Sequence, residues 1–321
     1  MKDIRRDTIT GGLVIYSSSR KHRPHDKDKE KKIKEEKEDS LFKGIYDKDC
    51  PFCMGNEGQN NEKDRIESKG EWHLRSVDNK FPIIDNTQKN LYGVHEVIIE
   101  SPYHDANYYN MRKCDFKNII YMYIKRYKDL SKEKGIKYVN IFKNSGSSAG
   151  ASLDHTHSQI ISFNIIPSEV QKELNVAIKH YDNTGENLYD SIIFSEVSYE
   201  HRLVYNGKYF LMYIPFASRY SGETRIIPKN DVRFEDWKEE QIEELSYIYD
   251  KFFEKWEESQ GKIPFNVIVH TNPVNDESLE YYRTHIHIIP RKFNFGGFEL
   301  STDLYVCSID PEDLAYELRF K

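Results

Sequence analysis

The 321-residue chain has few cysteines, no long apolar run and no surplus of positive charge, and each shortage narrows what it can do. Four cysteines (Cys50, Cys53, Cys114 and Cys307) are too few for a secreted disulfide framework. No apolar stretch approaches the roughly 20 residues of a membrane helix, and the opening MKDIRRDTITGG has no apolar core for a secretory signal. A cytoplasmic, enzyme-sized protein without a membrane partner is the expectation. With 47 Lys and Arg against 53 Asp and Glu, the net charge of −6 gives no field for holding a nucleic acid. Phosphate binding would have to come from a few local Arg, Lys and backbone N–H groups. Neither a GxGxxG fingerprint nor a P-loop is present.

Aromatic residues are plentiful: 23 Tyr and 17 Phe exclude a disordered chain, which lacks large apolar side chains to bury. One segment stands apart, since thirteen of the fourteen residues from Asp26 to Asp39 are charged. With six Lys and seven acids it is nearly neutral and reads as a solvated loop or frayed helix.

Periodicity predicts strands at 13–16, 72–77, 94–100, 138–142 and 157–163. A helix is expected over 115–134, with Phe116, Ile119, Ile120, Tyr123, Tyr127 and Leu130 at helical spacing and Gly135 as its stop. Ser168 and Gln171 suggest a capping box opening a helix that carries Glu173. The second half repeats the plan: strands at 209–215 and 223–227, a helix over 235–259, strands at 265–270 and 284–289, and a last helix from Pro311. Each half thus has paired strands, a long helix, a strand, then a strand bearing His-x-His. The fold class is α+β with antiparallel sheets rather than alternating βαβ units.

Four groups of residues could carry chemistry. Cys50 and Cys53 form a CxxC with His104 and His155 downstream, a donor set suited to tetrahedral zinc, with a redox pair as the competing reading. Next, residues 144–159 hold a Gly/Ser/Ala loop from Asn144 to Ser152, then His155, His157 and Gln159. Small residues let backbone N–H groups approach a phosphate. In an extended strand His155 and His157 share a face. A neutral imidazole is a competent nucleophile toward phosphorus, and the Gln159 amide suits a phosphoryl oxygen. Third, His285 and His287 share a strand face opposite Ile286 and Ile288, with His270 fifteen residues earlier. Three histidines with a carboxylate suit iron or zinc, and a half-buried polar strand face explains the pattern equally well. Last, Arg20 and Arg23 offer guanidinium forks for phosphate. Cys114 and Cys307 read as packing residues.

Together these pieces resemble the galactose-1-phosphate uridylyltransferase family of the histidine triad superfamily, from about Asp7 to Arg319. The matching signatures run in order: DTITGGLVI (7–15), Arg20…Arg23-Pro24, CPFCMGNE (50–57), VDNKFP (77–82), SPYH (101–104), NSGSSAGAS (144–152), HTHSQ (155–159), PFNVIVH (264–270), HIHIIP (285–290) and GGFE (296–299). The resemblance implies two histidine-triad-like halves, 1–190 and 191–321, whose antiparallel sheet curls into a half-barrel with flanking helices. It implies His157 as covalent nucleophile, zinc on Cys50, Cys53, His104 and His155, and a second metal, iron or zinc, on Glu173, His270, His285 and His287. Gln159 and Ser152 are expected at phosphoryl oxygens, Asn144, Arg20 and Arg23 at phosphates, Asn79 and Phe81 at the nucleoside, and Glu299 at the sugar. The implied reaction is ping-pong nucleotidyl transfer from a nucleotide sugar to a sugar 1-phosphate or inorganic phosphate, in a homodimer that takes part in galactose and carbohydrate metabolism. Uridylyl transfer from UDP-glucose to galactose 1-phosphate is the first expectation. A nucleotide-sugar phosphorylase acting on ADP-glucose, or a histidine-triad hydrolase, is the alternative. Departures fall at the sugar end: Phe293 stands where a Lys is expected, with Lys292 adjacent, and Tyr305 replaces a Gln. Tyr305 and the AGASL form of the nucleophile loop (149–153) look more like the ADP-glucose phosphorylase branch.

Overall fold

The structure, a computed structural model, describes residues 2–22, 44–274, 280–292 and 294–321. Arg23, the charged run 26–39 and Phe293 lie outside the described residues. The strands are β1 (Lys2–Arg6), β2 (Leu13–Ser17), β3 (Glu62–Ser68), β4 (Glu71–Asp78), β5 (Gly93–Ile99), β6 (Tyr138–Ser145) and β7 (His157–Phe163). They continue as β8 (Leu203–Asn206), β9 (Phe210–Tyr213), β10 (Thr224–Pro228), β11 (Phe265–His270), β12 (His285–Pro290) and β13 (Tyr305–Cys307). The helices are α1 (Lys113–Leu130), α2 (Ser168–Thr184), α3 (Leu188–Tyr199), α4 (Glu239–Gln260), α5 (Gly297–Thr302) and α6 (Pro311–Leu318). Among the described residues no helix is long and apolar enough to cross a membrane.

Ten strands form one open antiparallel sheet in the order β3-β4-β5-β7-β6-β11-β12-β10-β9-β8. Read inward from either edge, each five-strand unit follows the same path: three consecutive strands, then the fifth, then the fourth. The units meet where β6 pairs β11, Ser145 opposite Phe265 and Ile141 opposite Val269. A separate three-stranded sheet joins β1, β2 and β13.

Alternation along the strands divides the large sheet into two faces. Val139 and Ile141, Ile160, Val267 and Val269, and Ile286 and Ile288 point to one face, where α1 and α4 cover them in the main core. Each such side chain contributes about 1.5–3 kcal/mol by leaving water. Helix α1 begins where the Arg112 backbone N–H donates to Asp115 at 2.8 Å, satisfying a first-turn group. Helix α4 begins likewise with the Lys238 N–H on Gln241, at 2.9 Å. It starts at Glu239 rather than at 235, since Phe234–Asp236 forms a separate short 3-10 turn.

The opposite face carries His157 and Gln159 in one unit and His270, His285 and His287 in the other. Part of it is roofed by α2 and α3, whose Leu174, Ala177, Leu188 and Ile192 pack with Leu211, Tyr213 and Ile227 in a second core. The capping box expected at Ser168 does not form. Pro167 occupies the cap position, and its carbonyl accepts the Gln171 N–H at 2.9 Å, so Ser168 is already the first helical residue. Cys307 is buried as expected, but Cys114 is exposed: it is the second residue of α1 and lies outside the Phe116–Ile119–Ile120 stripe.

Candidate active site and metal centres

The chain reaches His157 through a tight loop. Gly146 has φ +82°, and a Cβ there would stand 2.9 Å from Cβ of Pro264, so only glycine lets the loop pass this close to the β11 entry. Asn144 and Asn266 hold the loop: the Asn266 amide donates to Asn144 Oδ1 at 2.8 Å and to the Ala149 carbonyl at 2.9 Å, while Arg291 donates to Asn266 Oδ1 at 3.0 Å. Ser152 lies exposed on this loop.

His157 opens β7 and is largely buried, with 7% of its surface exposed. Nδ1 lies 2.8 Å from the His155 carbonyl, an acceptor, so Nδ1 carries the hydrogen and Nε2 keeps its lone pair. Burial lowers the pKa below the ordinary 6.5, which favours the neutral ring. Phe52, between the two cysteines of the CxxC, packs edge-on against the imidazole with centroids 5.4 Å apart.

Beneath this strand, on the helix side of the sheet, lies a buried pair absent from the sequence reading. Lys143 Nζ donates to Glu100 at 2.5 Å, to Thr156 Oγ1 at 2.8 Å and to the His157 carbonyl at 3.0 Å. Tyr108 and Tyr123 donate to the other Glu100 oxygen, at 2.9 and 3.2 Å. Burial acts to raise the Glu100 carboxyl, but Lys143 and these donors outweigh it and hold it low. Every charge here is paired, the condition under which a buried ion pair is tolerated. Sequence alternation marks Lys143 as an oddity among Val139 and Ile141, but its partner is visible only once β5 and β6 flank β7.

Gln159 follows two residues along the same face. Its Oε1 accepts from His95 Nε2 at 2.7 Å, and His95 is 4% exposed on β5. Asn79 sits beside them, its Oδ1 accepting the Phe81 N–H at 2.8 Å. Phe81 itself is 87% exposed and Ile83 72%, an unusual display for large apolar side chains.

Cys50, Cys53, His104 and His155 place their donor atoms within 4.8 Å of one another. His155 Nδ1 is 3.6 Å from both sulfurs, and His104 Nδ1 is 3.6 Å from Cys53. With bonds of about 2.3 Å to sulfur and 2.0–2.1 Å to nitrogen, a tetrahedral site has S···N edges of about 3.6 Å. His155 donates Nε2–H to the Ser101 carbonyl at 2.8 Å, turning the Nδ1 lone pair toward the thiols. Burial pushes the bare Cys53 thiol up to about 11, so a cation is what would hold it as thiolate. The residues therefore fit a metal, and no disulfide joins the two cysteines.

Glu173, His270, His285 and His287 form the second such group. Helix α2 buries Val170, Glu173, Leu174 and Ala177 along one face, which aims Glu173 at the sheet. Its carboxylate lies 2.9 and 3.0 Å from His270 Nδ1 and accepts from Tyr282 at 2.7 Å. His285 donates Nδ1–H to the Arg283 carbonyl at 2.9 Å, and His287 donates to Glu223 at 2.7 Å. Both Nε2 atoms are thereby left as buried lone pairs without a hydrogen-bond partner. Burial takes the His287 pKa down to about 3. Two orphaned acceptors beside a carboxylate fit a divalent cation, in line with the donor chemistry. Glu223 and Tyr282, which orient this group, were missed because nothing in their local pattern distinguishes them.

The remaining expected residues lie elsewhere. Arg20 is exposed on the 3-10 turn after β2. Glu299 caps α5 by accepting the Gly296 N–H at 2.9 Å, and the Tyr305 hydroxyl lies 2.8 Å from Arg219. These hydrogen bonds do not reach β7, the strand of His157 and Gln159.

Comparison with known proteins shows what the whole chain is similar to. Residues 84–319 match the family profile described as "Domain of unknown function (DUF4921)". The chain is 28% identical over 337 residues to ADP-glucose phosphorylase of Arabidopsis thaliana, covering 99% of this chain and 92% of that protein. It is 25% identical over 347 residues to galactose-1-phosphate uridylyltransferase of Thermotoga maritima, covering 99% and 98%. The crystal structure of the Arabidopsis thaliana phosphorylase with bound ADP-glucose superposes with a TM-score of 0.86 at 27% identity, over 100% of this chain and 99% of that one. The chain belongs to the DUF4921 family, within the galactose-1-phosphate uridylyltransferase-like group.

Proposed function

We propose that the chain is a nucleotidyltransferase that passes a nucleoside monophosphate between phosphate groups through a covalent bond to His157 Nε2. The observation that carries this reading is the Nδ1–H donated to the His155 carbonyl, which sets the tautomer so that the neutral ring, favoured by burial, carries its lone pair on Nε2. In the first half-reaction the Nε2 lone pair attacks the α-phosphorus of a nucleoside diphosphate sugar. The N–P bond forms, the P–O bond to the outer phosphate breaks, and sugar 1-phosphate leaves with that electron pair. Positive charge developing on the ring is eased at Nδ1–H by the carbonyl it already meets. In the second half-reaction an acceptor phosphate oxygen attacks phosphorus and His157 leaves, restoring its lone pair.

Gln159 and Ser152 are assigned to phosphoryl oxygens, and Asn144, Arg20 and Arg23 to the phosphates. Exposed Phe81 with Asn79 offers an aromatic and an amide for the nucleoside. Zinc on Cys50, Cys53, His104 and His155 would brace the peptide whose carbonyl accepts the His157 Nδ1–H, and iron or zinc on Glu173, His270, His285 and His287 would pin α2 to the sheet. The sugar assignment of Glu299 and Tyr305 fits a homodimer in which the partner copy brings this segment to His157. The chain is read as two halves, 1–190 and 191–321, with the division falling inside α3.

For the substrate, the likeness to ADP-glucose phosphorylase over 99% of the chain and the AGASL loop favour ADP-glucose as donor and inorganic phosphate as acceptor. Uridylyl transfer from UDP-glucose to galactose 1-phosphate is the second reading, favoured by the Thermotoga maritima relative. Intact-protein mass after brief mixing with each donor separates them. An adenylyl adduct absent from His157→Asn, and discharged by phosphate, is expected. A uridylyl adduct discharged by galactose 1-phosphate would select the second reading. No adduct and no sugar phosphate release with any donor would overturn the transferase assignment.

A further inference from the structure

We propose that His95 is a positioning residue that fixes which end of the Gln159 amide faces the reacting phosphoryl group; this rests on the function proposed above. An amide presents an acceptor at one end and two donors at the other, and only the donors stabilise a phosphoryl oxygen as it gains charge. The Gln159 side chain therefore works in one of its two orientations. His95 supplies the bias through a chain of defined donors and acceptors.

The Ile83 backbone N–H, a donor with no alternative role, reaches His95 Nδ1 at 3.1 Å, so Nδ1 is the acceptor and Nε2 bears the hydrogen. That Nε2–H meets Gln159 Oε1 at 2.7 Å. The amide oxygen is thus occupied, and the Gln159 NH2 group points away from His95. Asn79 Nδ2 lies 3.1 Å from the same His95 nitrogen, whose hydrogen is already directed at Gln159. The Asn79 amide hydrogens are therefore also left for another acceptor. Strand register makes the contact, because Val97 pairs with Gln159 and His95 with Ile161, so His95 and Gln159 are diagonal neighbours on one face. Ile83 belongs to the segment that carries Asn79 and Phe81, so one imidazole ties the nucleoside segment to the phosphoryl-holding amide.

The test measures sugar 1-phosphate release from ADP-glucose and from UDP-glucose, with inorganic phosphate present, for wild type and variants. His95→Phe keeps the ring shape and loses both nitrogens; kcat is expected to fall about 10- to 100-fold with a smaller change in KM. In a Gln159→Ala background the same change is expected to cost little more, because the group it positions is gone. His95→Gln, which returns an amide donor toward Gln159, is expected to recover much of the loss. Should the Phe variant fail to fold, His95→Asn, too short to reach Gln159, replaces it in the cycle. Losses that multiply in the double variant, a KM effect alone, or wild-type kcat in His95→Phe would overturn the positioning role. Wild-type protein that forms no His157 adduct with either donor would instead overturn the functional reading and this proposal with it.

Discussion

Burial holds the His157 imidazole below the 6.5 of a free histidine, and the direction of that shift decides how activity follows pH. The reactive form is the neutral ring, and protonation removes the Nε2 lone pair. Because the folded value is depressed, the neutral ring persists as pH falls through 6.5 and is lost only as pH drops through the lower folded value. The rate of adduct formation is expected to stay flat from about pH 8 through 6.5 and to fall only as pH drops through the lower folded value. An acid limb centred above 6.5 would contradict the assignment. At this scale the proposed nucleophile and most of the candidate ligands are legible in sequence, because HTHSQ, CPFC and HIHIIP are local patterns, whereas Glu173 comes only from the family resemblance. His95, Lys143 and Glu223 are not, because each acquires meaning from a partner on another strand.

The elements that position the site differ in how plainly the sequence announces them. Helices α1 and α4 carry long apolar stripes, and β7 and β11 start and stop where alternation says they should. Strand β3, with Lys63, Asp64, Arg65, Glu67 and Ser68, shows little apolar alternation because it is the edge of the sheet. Strand β1 is nearly all exposed for a similar reason. Helix α2 matters most to the site, since a single turn brings Glu173 to His270 and His285, and its neighbour Val170 to the second core. Metal analysis of the native chain is expected to find about two equivalents. Cys50→Ser should lose one and Glu173→Gln the other, each lowering Tm by several degrees while leaving the second site loaded. Loss of both equivalents in either variant would mean that the two centres are not independent.

Across the whole molecule, the β6–β11 pairing joins two equivalent five-strand units into one sheet, and α1 packs against α4 over the seam. One core therefore spans both units. Cutting the chain at residue 190 would leave β6 as a bare edge, strip Phe116 and Tyr108 of their neighbours Tyr249, Phe253 and Phe265, and leave Ile141 without Val269 opposite it. Residues 1–190 expressed alone are expected to aggregate or to lack a cooperative melt, as judged by size exclusion and circular dichroism. A monomeric fragment with a sharp thermal transition would show that each unit holds its own core.

The sequence by itself determined the α+β antiparallel class, the repeated order of elements and which histidines are candidates to carry chemistry. Period-two and helical spacing, and donor atoms set two or three residues apart, are properties of a short stretch of chain. Only the tertiary structure decided which histidine nitrogen carries its hydrogen, which carboxylate balances Lys143, and that His95 faces Gln159. Those depend on strand order and register, which bring together groups far apart in sequence such as Ser101 and His155, or Glu223 and His287. A buried lone pair acquires its direction from the one polar partner the fold leaves beside it.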